Sequence, residues 1–344
     1  MKKRLASLLP ALALVLVLAA PADARAQTVL RLTNWLPQQH VIFKDVLQVW
    51  ASQVEEATEG RVKIQVLPKP VANPGGTFDA VASGIAHVAA VVHGYSPGRF
   101  PLATLAEFSG TGETAEAASV AYQRIYEREL AAIDQHPGVR TLAVFTNGPG
   151  YIFNTKRPIR TLDDLAGLRF RVGGGVVNDI ADALGVAAVL KPANESYELV
   201  SAGVVDGVFF PTEPIRSFNL DRFIRYGTAV RGGLYNTSWA LIMNAAAFDE
   251  LSEEDRAAIL SVSGEQVARL AGRAQDVNEE AAHEAIVANG VEMIQADEAF
   301  MKDLLARTRP LEDAWAKEVA KLGVDGAALL SAYRQELENA AASN

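Results

Sequence analysis

Arg171 closes the run Leu168-Arg169-Phe170-Arg171-Val172 and stands just before Gly173-Gly174-Gly175. The run reads as a strand. Its parity places Arg169 and Arg171 on one face and Leu168, Phe170 and Val172 on the other. Open α/β sheets bind ligands at the C-terminal ends of their strands. A glycine-rich turn whose amides open a helix is a ready anion site. An arginine there can hold a carboxylate through two parallel hydrogen bonds. The competing reading is a surface arginine that bonds a loop carbonyl.

Aromatic residues gather at the ends of the other predicted strands. Trp35 follows the first strand, and Tyr95 and Phe100 follow the third. Tyr151, Phe209, Phe210, Tyr235 and Trp239 fall near the second α/β unit or its junctions. Each alone reads first as core, but together they suit an apolar cleft holding a few placed polar groups. Asn34 beside Trp35 and Asn236 beside Tyr235 can offer amide hydrogen bonds to a ligand or simply make turns. The candidate ligand-binding set is Arg171, Asn34, Trp35, Tyr95, Tyr151, Phe210, Glu213, Tyr235, Asn236 and Trp239.

Signs of catalysis are missing. The five histidines, His40, His87, His93, His136 and His283, show no metal-ligand spacing and no HExxH; each reads as structural. No GxSxG elbow or phosphate-binding loop occurs. Asp163-Asp164 and Glu253-Glu254-Asp255 sit at predicted helix starts, where acidic residues complement the helix dipole. The triple glycine lacks the full dinucleotide fingerprint. Zero cysteines exclude a disulfide framework, a thiolate metal site and a cysteine nucleophile. No cofactor and no metal are expected, and a net charge of −9 speaks against a nucleic-acid partner.

The chain starts with Met1-Lys2-Lys3-Arg4, an apolar stretch Leu5–Ala20, and then Ala24-Arg25-Ala26. Basic, apolar and small-x-small in that order read as a secretory signal peptide cut after Ala26. The remaining 318 residues carry a net charge of −12, because four basic residues and Asp23 leave with the leader. No later stretch approaches the ~18 apolar residues of a membrane span. The mature chain is therefore expected to be periplasmic and not itself membrane-spanning.

Hydrophobic spacing gives the elements that must position Arg171 and the aromatics. Strands are predicted at 29–32, 61–67, 86–92, 139–145, 168–172, 187–190, 206–210 and 239–243. Helices are predicted at 41–57, 76–84, 114–133, 176–184 and 196–202. From Ser252 a helical pattern runs without proline to about Ala288. At ~1.5 Å per residue it would measure ~50 Å, enough to bridge two domains. Helices 298–322 and 326–341 close the chain, and Pro310 should kink or split the first.

Several short segments, in order, resemble the solute-binding receptors of TRAP transporters, the DctP family. They are Leu30-Arg31-Leu32-Thr33-Asn34-Trp35, Thr58-Glu59-Gly60-Arg61-Val62-Lys63-Ile64 and Ser83-Gly84. Asn154-Thr155-Lys156-Arg157-Pro158-Ile159, Leu165 to Val172, Leu184-Gly185 and Ser201-Ala202-Gly203-Val204-Val205-Asp206-Gly207 follow. The resemblance implies an α/β, periplasmic-binding-protein-like fold of two lobes with a long helix bridging both. Lobe I would hold 27–148 plus 235–276, and lobe II 149–234 plus 277–344. It implies that Arg171 grips a ligand carboxylate, with Asn34 close by, and that permease subunits in the membrane take the ligand. Phe210 stands where many members carry asparagine, and Tyr151 lies where sialic-acid-type members carry a second arginine. Both departures favour an organic acid with one recognised carboxylate and a hydrophobic or aromatic body. A C4-dicarboxylate or 2-oxo acid stays open. So do service to an ATP-driven transporter or sensor kinase, and an exported enzyme.

Overall fold

The computed structural model describes residues 27–343; the predicted leader lies outside the described residues. Eleven strands form two sheets among those residues. The first sheet runs in the order β2 (Val62–Val66), β1 (Thr28–Leu32), β3 (Val88–Val92), β10 (Ser238–Asn244), β4 (Val139–Thr146). β1 is parallel to β2 and β3, whereas β10 is antiparallel to β3 and β4. Strand β2 alternates buried Val62 and Ile64 with exposed Lys63 and Gln65, as a sheet edge with one covered face should. Strand β3 is buried at all five positions because it lies mid-sheet with both faces packed.

The second sheet runs β11 (Glu292–Gln295), β9 (Tyr226–Ala229), β5 (Tyr151–Asn154), β8 (Gly207–Phe210), β6 (Arg169–Val172), β7 (Ala187–Leu190). The chain passes from one sheet to the other between β4 and β5, returns between β9 and β10, and crosses once more before β11. Each sheet is the centre of one lobe. Sequence reading misses β5, β9 and β11.

The 36-residue helix expected from Ser252 is two helices, Glu253–Ser261 and Glu265–Ala288. Gly264 breaks the run with φ 60, a left-handed backbone that the apolar pattern does not reveal. The second helix has 24 residues, or ~36 Å. It packs on β4 and on the short helix Glu213–Ser217 that follows β8, so it still touches both lobes. Gly272 sits where this helix meets Glu116 of helix Ala115–Ile125. Any Cβ there would fall on the Glu116 backbone, which is why the contact takes glycine.

Helix Glu298–Val319 continues through Pro310. Proline removes one helical hydrogen bond, yet Phe300 and Leu304 before it and Trp315 and Val319 after it are all buried and hold both halves in place. The C-terminal helix Gly326–Ala342, assigned above to lobe II, packs on helix Ala115–Ile125 beside the first sheet. Its Leu329, Leu330 and Tyr333 are buried and require that apolar cover.

Candidate functional site

Strand β6 carries Arg169 and Arg171 on one face, with different fates. Arg169 is exposed at the strand start and bonds Asp206. Arg171 is 1% exposed. Phe210 lies on neighbouring β8, and its ring centroid is 4.5 Å from the guanidinium carbon, a cation–π contact. Arg171 Nε donates to the Lys191 carbonyl at 2.8 Å, and Nη2 donates to the Tyr95 hydroxyl at 3.3 Å. Of five guanidinium N–H groups, these bonds use two. Among the described residues Arg171 has no carboxylate partner. A buried charge costs several kcal/mol unless it is paired, so an unpaired one beside a cavity calls for an anion.

Arg171 lines that cavity together with Trp35, Tyr95, Phe210, Tyr235 and Trp239 from the predicted set. His40, Asn147, Val177, Phe218 and Thr237 join them, and sequence reading missed all five. The Trp35 and Trp239 rings stack at 6.0 Å with 5° between planes, and Trp239 stacks again on Phe145. Phe210 stacks on Phe218 at 6.1 Å and 8°. The indoles come from lobe I, and Arg171 with the phenyl pair comes from lobe II. The enclosed space is about 30 Å³, room for little more than water.

Tyr95 joins the two lobes. It follows β3, and its hydroxyl accepts from Arg171 and from the Ala193 N–H at 3.0 Å, both in lobe II. With both lone pairs taken, the phenolic proton is the capacity left over, and it can go to an anion held by Arg171. His40 contributes a ring rather than a charge. Its Nδ1 accepts from Ile42 N–H, Nε2 lies 3.7 Å from Glu213, and burial lowers its pKa to about 3.

Four predicted residues stand off this cavity. Asn34 spends its amide on Leu36, donating to the carbonyl and accepting from the N–H, so it makes the turn that carries Trp35. Asn236 is buried, and with its amide turned end for end the nitrogen donates to the Gly148 and Asn147 carbonyls. Tyr151 lies half-buried near Phe153, and burial pushes its pKa up to about 12. Glu213 accepts from Val41 N–H and the Ser217 hydroxyl.

The glycine-rich turn corrects the expectation of an anion seat for the ligand. Helix Val176–Ala183 starts there, but its Val176 N–H donates to Glu107 of the opposite lobe at 3.1 Å. Gly175 has φ 85, and a Cβ on it would collide with that carboxyl. Gly94 and Gly174 meet backbone to backbone beside it. Glu107 also accepts from the Ser238 N–H and hydroxyl. Ser238 bonds His93 Nδ1, and His93 Nε2 lies 3.0 Å from His136 Nε2. Burial raises Glu107 to about 7, lowers His136 to about 4 and drives His93 down as well. Glu279 of the bridging helix likewise accepts the Thr212 and Glu213 N–H groups of lobe II.

Two of the hollows roomier than this slot suit an anion less well. One of about 330 Å³ is lined by Glu107, Asp179 and Glu318 with no lysine or arginine. The other, about 370 Å³, sets Glu127 and Asp134 against the single Arg140.

The family model DctP, bacterial extracellular solute-binding protein, family 7, matches residues 32–318. The chain belongs to that family. Among solved DctP-type structures it is similar to a TRAP periplasmic solute binding protein from Bordetella bronchiseptica with bound (R)- and (S)-mandelate. The two are 42% identical with a TM-score of 0.88, over 91% of this chain and 99% of that one. A marine-metagenome TRAP solute binding protein, specific for aromatic acid ligands and solved with 3-hydroxybenzoate, is 28% identical. Its TM-score is 0.85 over 91% of this chain and 98% of that one. The outer membrane transporter protein TsaT of Comamonas testosteroni is 33% identical over 323 residues, 93% of this chain and 95% of that protein. The chain is a TRAP-type solute-binding receptor with a two-lobed fold. Among the described residues no helix is long and apolar enough to cross a membrane.

Proposed function

We propose that this receptor binds an aromatic monocarboxylic acid between its lobes and hands it to the membrane subunits of a TRAP permease. The observation that carries the reading is Arg171, a buried guanidinium without an acidic partner among the described residues, at the head of a slot walled by stacked rings. Arg171 is the one cationic side chain among the described residues lining the slot, so a single carboxylate is matched and a second would go unpaired. The rings Trp35, Trp239 and Phe210 offer flat faces to an aromatic body. The 42%-identical mandelate-bound relative supports the same class.

The small cavity implies entry with the lobes parted and closure afterwards, a hinge motion. The carboxylate would settle on Arg171 of lobe II, and Tyr95 of lobe I would then donate its proton to it. Binding energy is thereby spent on closure. The closed outer surface is what a permease can read, and no bond in the ligand changes. The lobe division at 148/149 and 234/235, a periplasmic location and cleavage after Ala26 belong to the same proposal. A thermal-shift screen of the mature chain against organic acids tests it, because a ligand raises apparent stability. Benzoate-, phenylacetate- and mandelate-type acids should raise the melting temperature. Shifts with succinate and 2-oxo acids alone would overturn the aromatic assignment.

A further inference from the structure

The slot's six polar side chains can be accounted for one at a time. Arg171 and Tyr95 face the carboxylate, as described above. His40 Nδ1 accepts from the Ile42 N–H, and its Nε2 faces Glu213 at 3.7 Å. Tyr235 donates its hydroxyl proton to the Phe209 carbonyl at 2.9 Å. Thr237 is partly exposed and lies near the Tyr235 hydroxyl. Asn147 remains.

Asn147 begins the crossing from β4 to β5 and is 7% exposed. Its side-chain oxygen accepts the Trp239 indole N–H. An indole nitrogen can only donate, so this bond fixes which end of the amide is oxygen. The NH₂ end is therefore aimed by Trp239, and among the described residues it has no hydrogen-bond partner. The residue is 7% exposed and lines the cavity, so its two amide donors lose water when a ligand fills the slot and carry a desolvation penalty unless something accepts from them. The donors the slot holds ready include Arg171, the Tyr95 hydroxyl and the Asn147 amide. A bare aromatic carboxylate satisfies the first two and leaves the third without a partner.

We propose that Asn147, held in orientation by Trp239, reads a second oxygen on the ligand, so that the receptor prefers hydroxylated aromatic acids to their deoxy counterparts. The inference rests on the aromatic-acid reading above and adds the polar substituent that reading leaves open. Its physical basis is asymmetric. A hydroxyl that accepts from Asn147 gains one hydrogen bond, while a ligand lacking it buries the amide unsatisfied, and a site built this way rejects the analogue.

The test is calorimetry with phenylacetate, mandelate (which adds a 2-hydroxyl) and 3-hydroxyphenylacetate (which adds a ring hydroxyl). In the wild-type receptor at least one hydroxylated acid should bind ~10-fold more tightly than phenylacetate. In Asn147→Leu that preference should fall to within ~2-fold. Trp239→Phe leaves Asn147 in place but removes the N–H that orients it. It serves as the second variant, and its ratio should fall as well. A preference that survives in both variants, or no preference in the wild type, overturns the inference while leaving the aromatic-acid reading intact. If none of the three acids binds the wild-type protein, the aromatic-acid reading falls and the inference falls with it.

Discussion

Replacing Arg171 by methionine should separate ligand binding from folding in a way few substitutions do. In the protein itself the guanidinium makes two hydrogen bonds and one cation–π contact, yet it is buried without a counter-ion. Arg171→Met removes that charge and keeps an unbranched apolar stem against Phe210. The Lys191 carbonyl loses its donor, a cost of about 1 kcal/mol. Release from burying an unpaired charge offsets that, since well-packed apolar replacements of buried ionic groups are often neutral or stabilising by about 1–4 kcal/mol. The ligand-free variant should therefore melt at or above the wild-type temperature. Ligand affinity should move the other way. Truncating one partner of a buried hydrogen-bonded charge pair costs about 2–5 kcal/mol, so Kd should rise about 30-fold to several thousand-fold. Calorimetry gives Kd, and thermal unfolding without ligand gives stability. Wild-type affinity in the variant would refute the assignment of the carboxylate to Arg171. A ligand-free variant destabilised by several kcal/mol would refute the claim that the cation is held for the ligand rather than for the fold.

Three other outcomes follow from the same geometry. Tyr95→Phe removes the acceptor shared by Arg171 and the Ala193 N–H and the donor aimed at the carboxylate, so calorimetry should show ~10-fold or greater weakening with the fold intact. Gly174→Ala places a methyl on the Gly94 carbonyl, so closure should fail; small-angle scattering should show the liganded variant as extended as the ligand-free wild type. Glu107 has its pKa raised from 4.5 to about 7 by burial, so the folded state holds that proton more tightly than the unfolded chain. Its contribution is then fully present below pH 4.5 and is lost as pH rises through 7, a fall on the order of 3 kcal/mol at most. Glu107→Gln should flatten that part of the stability profile between pH 5 and 8, and an unchanged slope in chemical denaturation would contradict it.

The sequence shows the skeleton better than the joints. Arg171 was legible because three signals met there: strand parity, the strand's C-terminal end and a glycine-rich turn. The rings Trp35, Tyr95, Phe210, Tyr235 and Trp239 were legible as a group, since aromatics at strand ends converge where the ends of two sheets face one another. What the glycines serve was not legible. They looked like a seat for a ligand anion, but Glu107 from the opposite lobe fills the helix start, and only a non-local contact tells the two apart. Asn147 was missed for the same reason, because nothing near it in sequence says that Trp239 aims its amide. Asn34 illustrates the converse, since its local turn with Leu36 satisfies the side chain before any ligand arrives. The break at Gly264 shows that an unbroken hydrophobic period does not guarantee an unbroken helix.

The most direct test of the account is a crystal structure of the mature receptor grown with mandelate. The account predicts the carboxylate on the Arg171 guanidinium and within hydrogen-bond distance of the Tyr95 hydroxyl, with the phenyl ring between the Trp35–Trp239 stack and Phe210. A carboxylate bound away from Arg171, or a ligand seated in either of the roomier hollows, would contradict it.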